Sequence, residues 1–146
     1  MPFKHVLVAT DFSDNAKPAI DLAVEVARGS NAALTLVHVA DVSAYAYSGM
    51  AMTAVDLVTP VLDAANEALA KALVELRKRV PEAKAILRQG VTAEELVATV
   101  GAVGADLVVI GTHGRTGMRH LVLGSVAEKV VRLSPVPVLT VRSRGD

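Results

Sequence analysis

Asp106-Leu-Val-Val-Ile110 is followed directly by Gly111-Thr-His-Gly114 and, after nine further residues, by Gly124-Ser125. The apolar run at the start is typical of a strand that is covered on both faces of a sheet. Glycine lets the main chain turn through positive φ and brings its N–H groups close to an anion, and a following helix N-terminus adds partial positive charge. The stretch therefore predicts a strand, a loop that can hold a phosphate group, and a helix.

The rest of the chain repeats this alternation of short apolar runs and helical patterns. Ser13 or Asp14 and Thr59 have the side chains of helix N-caps, and Thr92-Ala-Glu-Glu95 has the form of a capping box. Residues 41–54 have little periodicity and predict a loop. The predicted strands are residues 5–10, 33–39, 84–88, 106–110 and 135–141, and the predicted helices are residues 13–29, 59–80, 92–103 and 125–133.

Strands that alternate with helices predict an α/β fold. Crossovers of this kind are right-handed and give a mostly parallel sheet with helices on both faces. The chain thus predicts a single domain over residues 1–146, built on one open five-stranded sheet. Ligands bind such sheets at the carboxyl ends of the strands, where the strand order reverses. If the first and fourth strands are neighbours there, Thr10-Asp11 and Gly111-Thr112 converge on one crevice.

Composition and charge exclude several classes of protein. Of 146 residues, 52% are hydrophobic, but no apolar run approaches the roughly 20 residues that cross a bilayer. Fifteen basic and fifteen acidic side chains cancel, so we expect neither nucleic acid nor a membrane as a partner. Without cysteine there is no disulfide, thiolate nucleophile or zinc–thiolate site. The first residues show no signal-peptide core, so we expect a cytoplasmic location.

The glycine-rich stretch carries the main candidate binding residues. Gly111 would let the strand turn sharply, and Gly114 would let the backbone approach a polyphosphate. Gly124, Ser125 and Val126 would offer N–H groups and a hydroxyl at the start of the last helix. The alternative is a flexible loop followed by an ordinary helix cap. Neither G-x-x-x-x-G-K-[ST] nor, after the first strand, G-x-G-x-x-G is present, so neither a P-loop ATPase nor a dinucleotide oxidoreductase is predicted.

Three other residues are candidates for contact with the same ligand. The Asp11 carboxylate can accept hydrogen bonds from a ribose hydroxyl or an adenine amine, or help hold a metal, although it can also simply cap a helix. Val39 can supply an apolar wall for a base, or it can be an ordinary buried strand residue. Arg115 can neutralise phosphate charge, or it can be a solvated loop cation.

Five segments, in order, resemble the universal stress protein family over essentially the whole chain. The ATP-binding branch of that family has a glycine motif with two residues, then nine, between its glycines and Ser or Thr at the end, and residues 111–125 match it without a gap. The resemblance implies a Rossmann-like domain of the adenine nucleotide-binding type. The five segments are Thr10-Asp-Phe-Ser13, Leu36-Val-His-Val39, Ile110-Gly-Thr-His-Gly114, Leu123-Gly-Ser-Val126 and Pro135-Val-Pro-Val138.

The resemblance also implies roles for individual residues. Thr10, Asp11 and Val39 would contact the adenosine part, and Ile110 would also touch the nucleotide. The cofactor implied is ATP, alone or with Mg²⁺, and we assign no catalytic residue and no metal ligand. The residues that would hold ribose and phosphates are Gly111, Gly114, Gly124, Ser125 and Val126.

The last strand predicts contact between two copies of the chain. On an edge strand, Val136, Val138, Leu139 and Val141 would form an exposed apolar surface in a monomer. The family resemblance also suggests a homodimer built by pairing the last strands of two subunits. We therefore expect a dimer through residues 135–142.

The resemblance implies an ATP-binding regulator of the stress response whose nucleotide occupancy alters its binding to protein partners. A slow ATPase or an autophosphorylating protein is one alternative, and a chaperone-like interaction module that needs no nucleotide is another. Because the chain lacks the P-loop lysine and an obvious general base for water, strong phosphoryl transfer is not predicted.

Overall fold

The computed structural model describes residues 2–43, 56–113 and 123–143, which form a sheet with helices packed on it. The predicted loop of residues 41–54 lies outside the described residues from position 44 onward. The strands are β1 His5–Ala9, β2 Ala33–Ala40, β3 Lys84–Gln89, β4 Leu107–Gly111 and β5 Val138–Val141. The helices are α1 Lys17–Ser30, α2 Val58–Arg77, α3 Thr92–Val103 and α4 Ser125–Leu133, and a short 3₁₀ helix, Asp14–Ala16, precedes α1.

The order of the strands in the described sheet is β3-β2-β1-β4-β5, and each pair of neighbours is parallel. The chain moves outward from β1 through β2 to β3, then crosses to the other side of β1 to form β4 and β5. This arrangement confirms the open α/β fold with a mostly parallel sheet. The strand order reverses between β1 and β4, as the prediction required, so their carboxyl ends border one crevice.

Two apolar layers hold the sheet between its helices. Because successive residues of a strand point to opposite faces, β1 contributes to both layers. Val6 and Val8 pack with α1 and α2 on one face, whereas Leu7 packs with α3 and α4 on the other. All three side chains are 0% exposed. Burial on both faces explains the unbroken apolar run in this strand and confirms that helices cover both faces.

The first helix differs from its prediction at both ends. α1 starts after the 3₁₀ helix, and Ser13 does not cap the helix start because its hydroxyl donates a hydrogen bond to Asp11. Gly29 remains helical, and α1 ends before Asn31, whose φ of 53° is left-handed. The Asn31 N–H donates to the carbonyl of Arg28 at 3.3 Å. Asparagine tolerates this backbone conformation better than most residues do, so glycine was not needed here.

The second helix starts earlier than predicted because a different side chain caps it. Oδ1 of Asp56 accepts hydrogen bonds from the N–H groups of Val58 and Thr59 at 3.0 and 3.1 Å. A bond from the Thr59 side chain and these backbone bonds hold the pKa of Asp56 below its usual range. Thr59 therefore lies in the first turn of α2, and the predicted N-cap was wrong.

The predicted capping box at the start of the third helix was also wrong. Thr92 is itself the first residue of α3, and no side chain caps the helix from Val91. Glu95 instead pairs with Nε of Arg88 at 3.1 Å, across the turn that joins β3 to α3. The carboxylate that the local pattern assigned to the helix start therefore binds Arg88 of the preceding strand instead.

The last strand is shorter than predicted because both of its prolines precede it. β5 begins at Val138, just after Pro137. The Pro137 carbonyl still accepts a hydrogen bond from the N–H of Val108 at 3.0 Å. Proline lacks an N–H donor, so its place immediately before an edge strand agrees with the prediction.

Asp106 ties the start of β1 to the start of β4. Its two carboxylate oxygens accept hydrogen bonds from the N–H groups of His5 and Lys4, at 3.0 and 2.9 Å. The bond from His5, followed by that from Lys4, holds the pKa of Asp106 below its ordinary value of 3.8. A carboxyl whose pKa is lowered by folding stabilises the fold fully above its unfolded pKa and loses that effect as pH falls through the folded pKa.

We expect Asp106→Asn to lower the melting temperature at pH 7. The NH₂ group of the amide replaces one carboxylate oxygen, so one of the two backbone N–H groups then faces a donor instead of an acceptor. The difference from the parent protein will persist down to about pH 3.8 and shrink below it. Thermal melts followed by circular dichroism at several pH values measure this. Asp63→Asn, at an exposed position of α2, is the matched control. A loss that stays constant as the pH falls would contradict the ionised role of Asp106.

Candidate functional site

A pocket of about 400 Å³ opens at the carboxyl edge of the sheet, between the ends of β1, β2 and β4 and the starts of α3 and α4. Its volume lies in the range typical of small-molecule sites, and its wall is mostly apolar. Among the residues predicted from the sequence, those that line this pocket are Thr10, Asp11, Val39, Ile110, Gly111, Gly124, Ser125 and Val126. The predicted residues Gly114 and Arg115 lie outside the described residues.

The turn after β1 presents Asp11 at the pocket. Thr10 is 8% exposed and its Oγ1 accepts a hydrogen bond from the N–H of Phe12 at 3.0 Å. Oδ1 of Asp11 accepts two hydrogen bonds from Ser13, from the N–H at 2.9 Å and from the hydroxyl at 2.5 Å. These short-range bonds orient the carboxylate before any ligand arrives.

The main chain of Val39 faces the pocket from the end of β2. The pairing of β1 with β2 ends at Ala9 and Val37, and the next N–H, that of Thr10, donates to the Val37 carbonyl at 2.9 Å. Alternate strand residues direct their N–H and C=O groups to the same side, so Val39 directs both groups over the end of β1. Ala40 has the opposite direction, since its carbonyl accepts from Gly90 on the β3 side at 3.1 Å.

Thr112 directly follows β4 and joins it to the start of α4 and to the last residue of β5. The Thr112 N–H donates to the carbonyl of Val141 at 3.0 Å, and its own carbonyl accepts from the N–H of Gly124 at 2.6 Å. Thr112 is 4% exposed, and its hydroxyl lies 3.1 Å from Nδ1 of His113. The backbone of the glycine-rich stretch is therefore fixed against two other elements.

Gly111 and Gly124 are needed for space rather than for unusual backbone angles. We predicted that glycine would allow a turn through positive φ, but in the described residues only Gly90 and Gly104 among the glycines have left-handed φ values. A Cβ atom on Gly124 would lie 3.0 Å from the Thr112 carbonyl oxygen, and one on Gly111 would lie 3.3 Å from the Asn15 carbonyl oxygen. At both positions an added side chain would press on a backbone oxygen, which would have to move by a few tenths of an ångström.

The start of α4 supplies hydrogen-bond donors to the pocket. The N–H of Glu128 bonds to the Gly124 carbonyl at 3.0 Å, so the three N–H groups before it have no acceptor within the helix. The N-cap is Gly124, which has no side chain to accept from them. These three residues, Ser125, Val126 and Ala127, all line the pocket. A helix start of this kind favours an anion.

Sequence reasoning missed several residues of the pocket. His38 lies in the predicted strand of residues 33–39 and was not assigned to the ligand, although it lies at the same end of β2 as Val39 and the topology alone made it a candidate. Thr92 and Leu96 reach the pocket from the first turns of α3, and nothing in a helical pattern indicates which way such a turn faces. Thr112 was expected at the crevice, and the remaining lining residues that were not predicted are Ala9, Ala16, Val37, His113 and Ala127.

The ionisable side chains of the pocket wall are Asp11, His38 and His113. Within residues 2–43, 56–113 and 123–143, no three His, Asp or Glu side chains come together as a set of metal ligands. The helices in the same part of the chain are each too short or too polar to span a bilayer.

An open parallel sheet with a pocket where its strand order reverses, and helix N–H groups at that pocket, defines a Rossmann-like α/β domain. The sequence model of the universal stress protein family matches residues 2–142. The chain belongs to the universal stress protein family, as the resemblance implied. It is 35% identical over 144 residues to universal stress protein A homolog 1 of Coxiella burnetii, and the match covers 97% of each chain.

Solved structures of the family share the fold. Universal stress protein UspA from Lactobacillus plantarum has a TM-score of 0.84 at 25% identity, over 97% of this chain and 99% of that one. A universal stress protein in complex with cAMP has a TM-score of 0.69 at 26% identity, over 97% and 98%. The universal stress protein from Archaeoglobus fulgidus in complex with dAMP has a TM-score of 0.70 at 25% identity, over 96% and 98%.

Proposed function

We propose that residues 1–146 form one nucleotide-binding domain, which binds ATP, alone or with Mg²⁺, and acts as a nucleotide-dependent regulator of a stress response. One observation carries the proposal. A single pocket brings together the main-chain groups of Val39, the Asp11 carboxylate and the N–H groups at the start of α4. The complexes of two relatives with cAMP and dAMP support an adenine nucleotide as the class of ligand.

Val39 suits the base. Adenine carries a ring-nitrogen acceptor next to an amine donor, and a strand residue that directs its N–H and C=O to one side offers the complementary pair. The buried side chains of Val37 and Leu96 add apolar surface against which a flat ring can pack. Asp11, beside them, can accept hydrogen bonds from ribose hydroxyls or from the amine. The nucleoside would therefore lie over the ends of β1 and β2.

The start of α4 suits the phosphates. Its N–H groups and partial positive charge favour an anion, and the hydroxyl of Ser125 adds a further donor. In this proposal Gly114 and Arg115 complete the cradle with backbone N–H groups and positive charge. Mg²⁺ would be carried mainly by the phosphate oxygens, as is usual for this ion.

Regulation requires only that the nucleotide binds to the pocket and leaves it. We therefore assign no catalytic residue to the pocket. In this proposal, nucleotide binding changes how the protein binds to a protein partner in the cytoplasm.

Calorimetric titration of the nucleotide-stripped protein with ATP, ADP, AMP and cyclic AMP, each with and without Mg²⁺, tests the proposal. We expect saturable binding of ATP at one molecule per subunit. No heat with any nucleotide, confirmed by equilibrium dialysis, would contradict the proposal and favour an interaction module. Release of phosphate beyond one turnover, retained after repurification, would favour the slow ATPase instead.

We also propose a homodimer through residues 135–142, built on the open edge of β5. The N–H of Val108 donates to the Pro137 carbonyl and that of Thr112 to the Val141 carbonyl. By strand alternation, positions 137, 139 and 141 direct their main-chain groups towards β4. Thr140 therefore directs its N–H and C=O away from β4, where a second copy of the strand can pair with them. The side chain of Leu139 is 36% exposed on this strand.

We expect Thr140→Pro to convert the dimer to a monomer, because it removes an outward N–H donor and leaves the bonds between β5 and β4 in place. Thr140→Val, which keeps the N–H, should remain dimeric. Sedimentation equilibrium measures both, and circular dichroism checks that the variants are folded. A dimeric Thr140→Pro protein would show that another surface joins the subunits.

A further inference from the structure

His38 contacts the turn that carries Asp11. The histidine is half-buried at the end of β2 and lines the pocket. Its Nδ1 lies 2.8 Å from the carbonyl oxygen of Thr10. A carbonyl can only accept a hydrogen bond, so the geometry requires the proton to be on Nδ1. This bond fixes the plane of the peptide group that joins Thr10 to Asp11.

The same turn has an unfavourable backbone conformation that must be held by its surroundings. Phe12 has a φ of 66°, in the left-handed region that a bulky residue rarely adopts. Its ring packs on the His38 ring, with centroids 4.3 Å apart, and against the apolar layer beneath α1. His38 therefore contacts the turn twice, at the carbonyl before Asp11 and at the ring after it. Such residues cluster at ligand-binding sites, where surrounding structure maintains the strain.

We propose that His38 is a positioning residue, which holds the Thr10–Asp11 peptide group and so directs the Asp11 carboxylate at the nucleoside part of the ligand. The inference rests on the proposed nucleotide function and deepens it. It names a residue that, through Asp11, affects the binding of the nucleoside and not that of the phosphates. The alternative to a positioning role is that His38 is a strand residue whose ring only fills space. The two readings differ in which property of the side chain matters, the Nδ1 donor or the ring.

Two substitutions separate these properties. His38→Asn keeps a side-chain N–H donor near the position of Nδ1 and loses the ring, whereas His38→Phe keeps a ring for Phe12 to pack on and loses the donor. We expect His38→Phe to weaken the binding of adenosine and AMP about five- to tenfold, as the loss of one hydrogen bond implies. His38→Asn should stay within about twofold of the parent protein. Affinity for inorganic tripolyphosphate should be unchanged in both.

A double-mutant cycle tests whether His38 acts through Asp11. In an Asp11→Asn background, His38→Phe should weaken adenosine binding by much less than it does in the parent protein, since neighbours that share one effect are not additive. Full additivity of the two substitutions would overturn the inference. So would unchanged adenosine binding in His38→Phe, or a loss in His38→Asn as large as that in His38→Phe.

Nitrogen-15 NMR of the ligand-free protein tests the hydrogen bond without any nucleotide. We expect the ring of His38 to carry its proton on Nδ1. A proton on Nε2 alone, with normal nucleotide binding, would overturn this inference and leave the proposed function standing. The Nδ1 proton in a protein that binds no nucleotide would overturn the proposed function and confine His38 to holding the turn.

Discussion

Gly124→Val will reduce the affinity for ATP by about a hundredfold, since overpacking costs of ~1–3 kcal/mol fall directly on the backbone that we propose to bind the phosphates. A Cβ atom at this position would lie 3.0 Å from the Thr112 carbonyl oxygen, which accepts the N–H of residue 124 at 2.6 Å. The side chain can fit only if α4 moves away from the end of β4. That movement separates the helix N–H groups from Gly111, while the apolar layer beneath α1 and α2 remains intact.

Gly101→Ala is the matched control, because it adds a methyl group to a different helix. Gly101 lies inside α3, and an added Cβ there has no heavy atom within 4 Å. We expect it to keep full ATP affinity and to gain about 0.5–1 kcal/mol of stability, since glycine is unfavourable inside a helix. Calorimetry and thermal melts measure both variants. ATP affinity that is unchanged in Gly124→Val would contradict the placement of the phosphates at α4.

The parallel sheet explains why much of the site was predictable from the sequence. Strands buried on both faces have unbroken apolar runs, and all strands of a parallel sheet end at one edge. Any residue that directly follows such a run is then a candidate for the same pocket. On that basis Asp11 and Gly111, a hundred positions apart in the sequence, were assigned to one crevice, and both line the pocket.

Contacts that depend on how the helices and turns pack were not predictable in the same way. Leu96 has the ordinary pattern of an amphipathic helix, and only the packing of α3 brings it to the pocket. Glu95 fits a capping box by local spacing, but in the folded chain its carboxylate accepts a hydrogen bond from Nε of Arg88. One carboxylate has several possible partners in the sequence, and tertiary packing selects among them. The same applies to His38, whose ring nitrogen finds a carbonyl 28 positions away.

Gly111 and Gly124 line the pocket, but the physical reason that we gave for glycine at these positions was wrong. Gly124 has a φ of −68°, which any residue adopts easily. Its requirement for glycine comes from the carbonyl oxygen of Thr112, a contact between two segments that the sequence does not reveal. A sequence motif can therefore locate a close backbone approach without identifying the atoms that make it necessary.

Asp11→Asn will affect the binding of the nucleoside and of the phosphates differently. We expect the affinity for adenosine and AMP to fall at least about tenfold, because hydrogen bonds to a charged group contribute ~1.5–3 kcal/mol. Binding of inorganic tripolyphosphate should stay the same or become tighter, since a negative charge near the phosphates has been removed. The amide oxygen of asparagine can still accept the Ser13 N–H that now bonds to Asp11 at 2.9 Å, so the turn should keep its shape.

Asp14→Asn is the control for a general loss of negative charge on this side of the protein. Its side chain is 93% exposed and pairs with Lys17 at 2.9 Å, outside the pocket. We expect no change in its affinity for any of these ligands. Titrations of adenosine, AMP and tripolyphosphate into both variants make the comparison. If Asp11→Asn weakened adenosine and tripolyphosphate equally, the substitution would have damaged the pocket as a whole; if it left adenosine binding unchanged, Asp11 would have no role in holding the nucleoside.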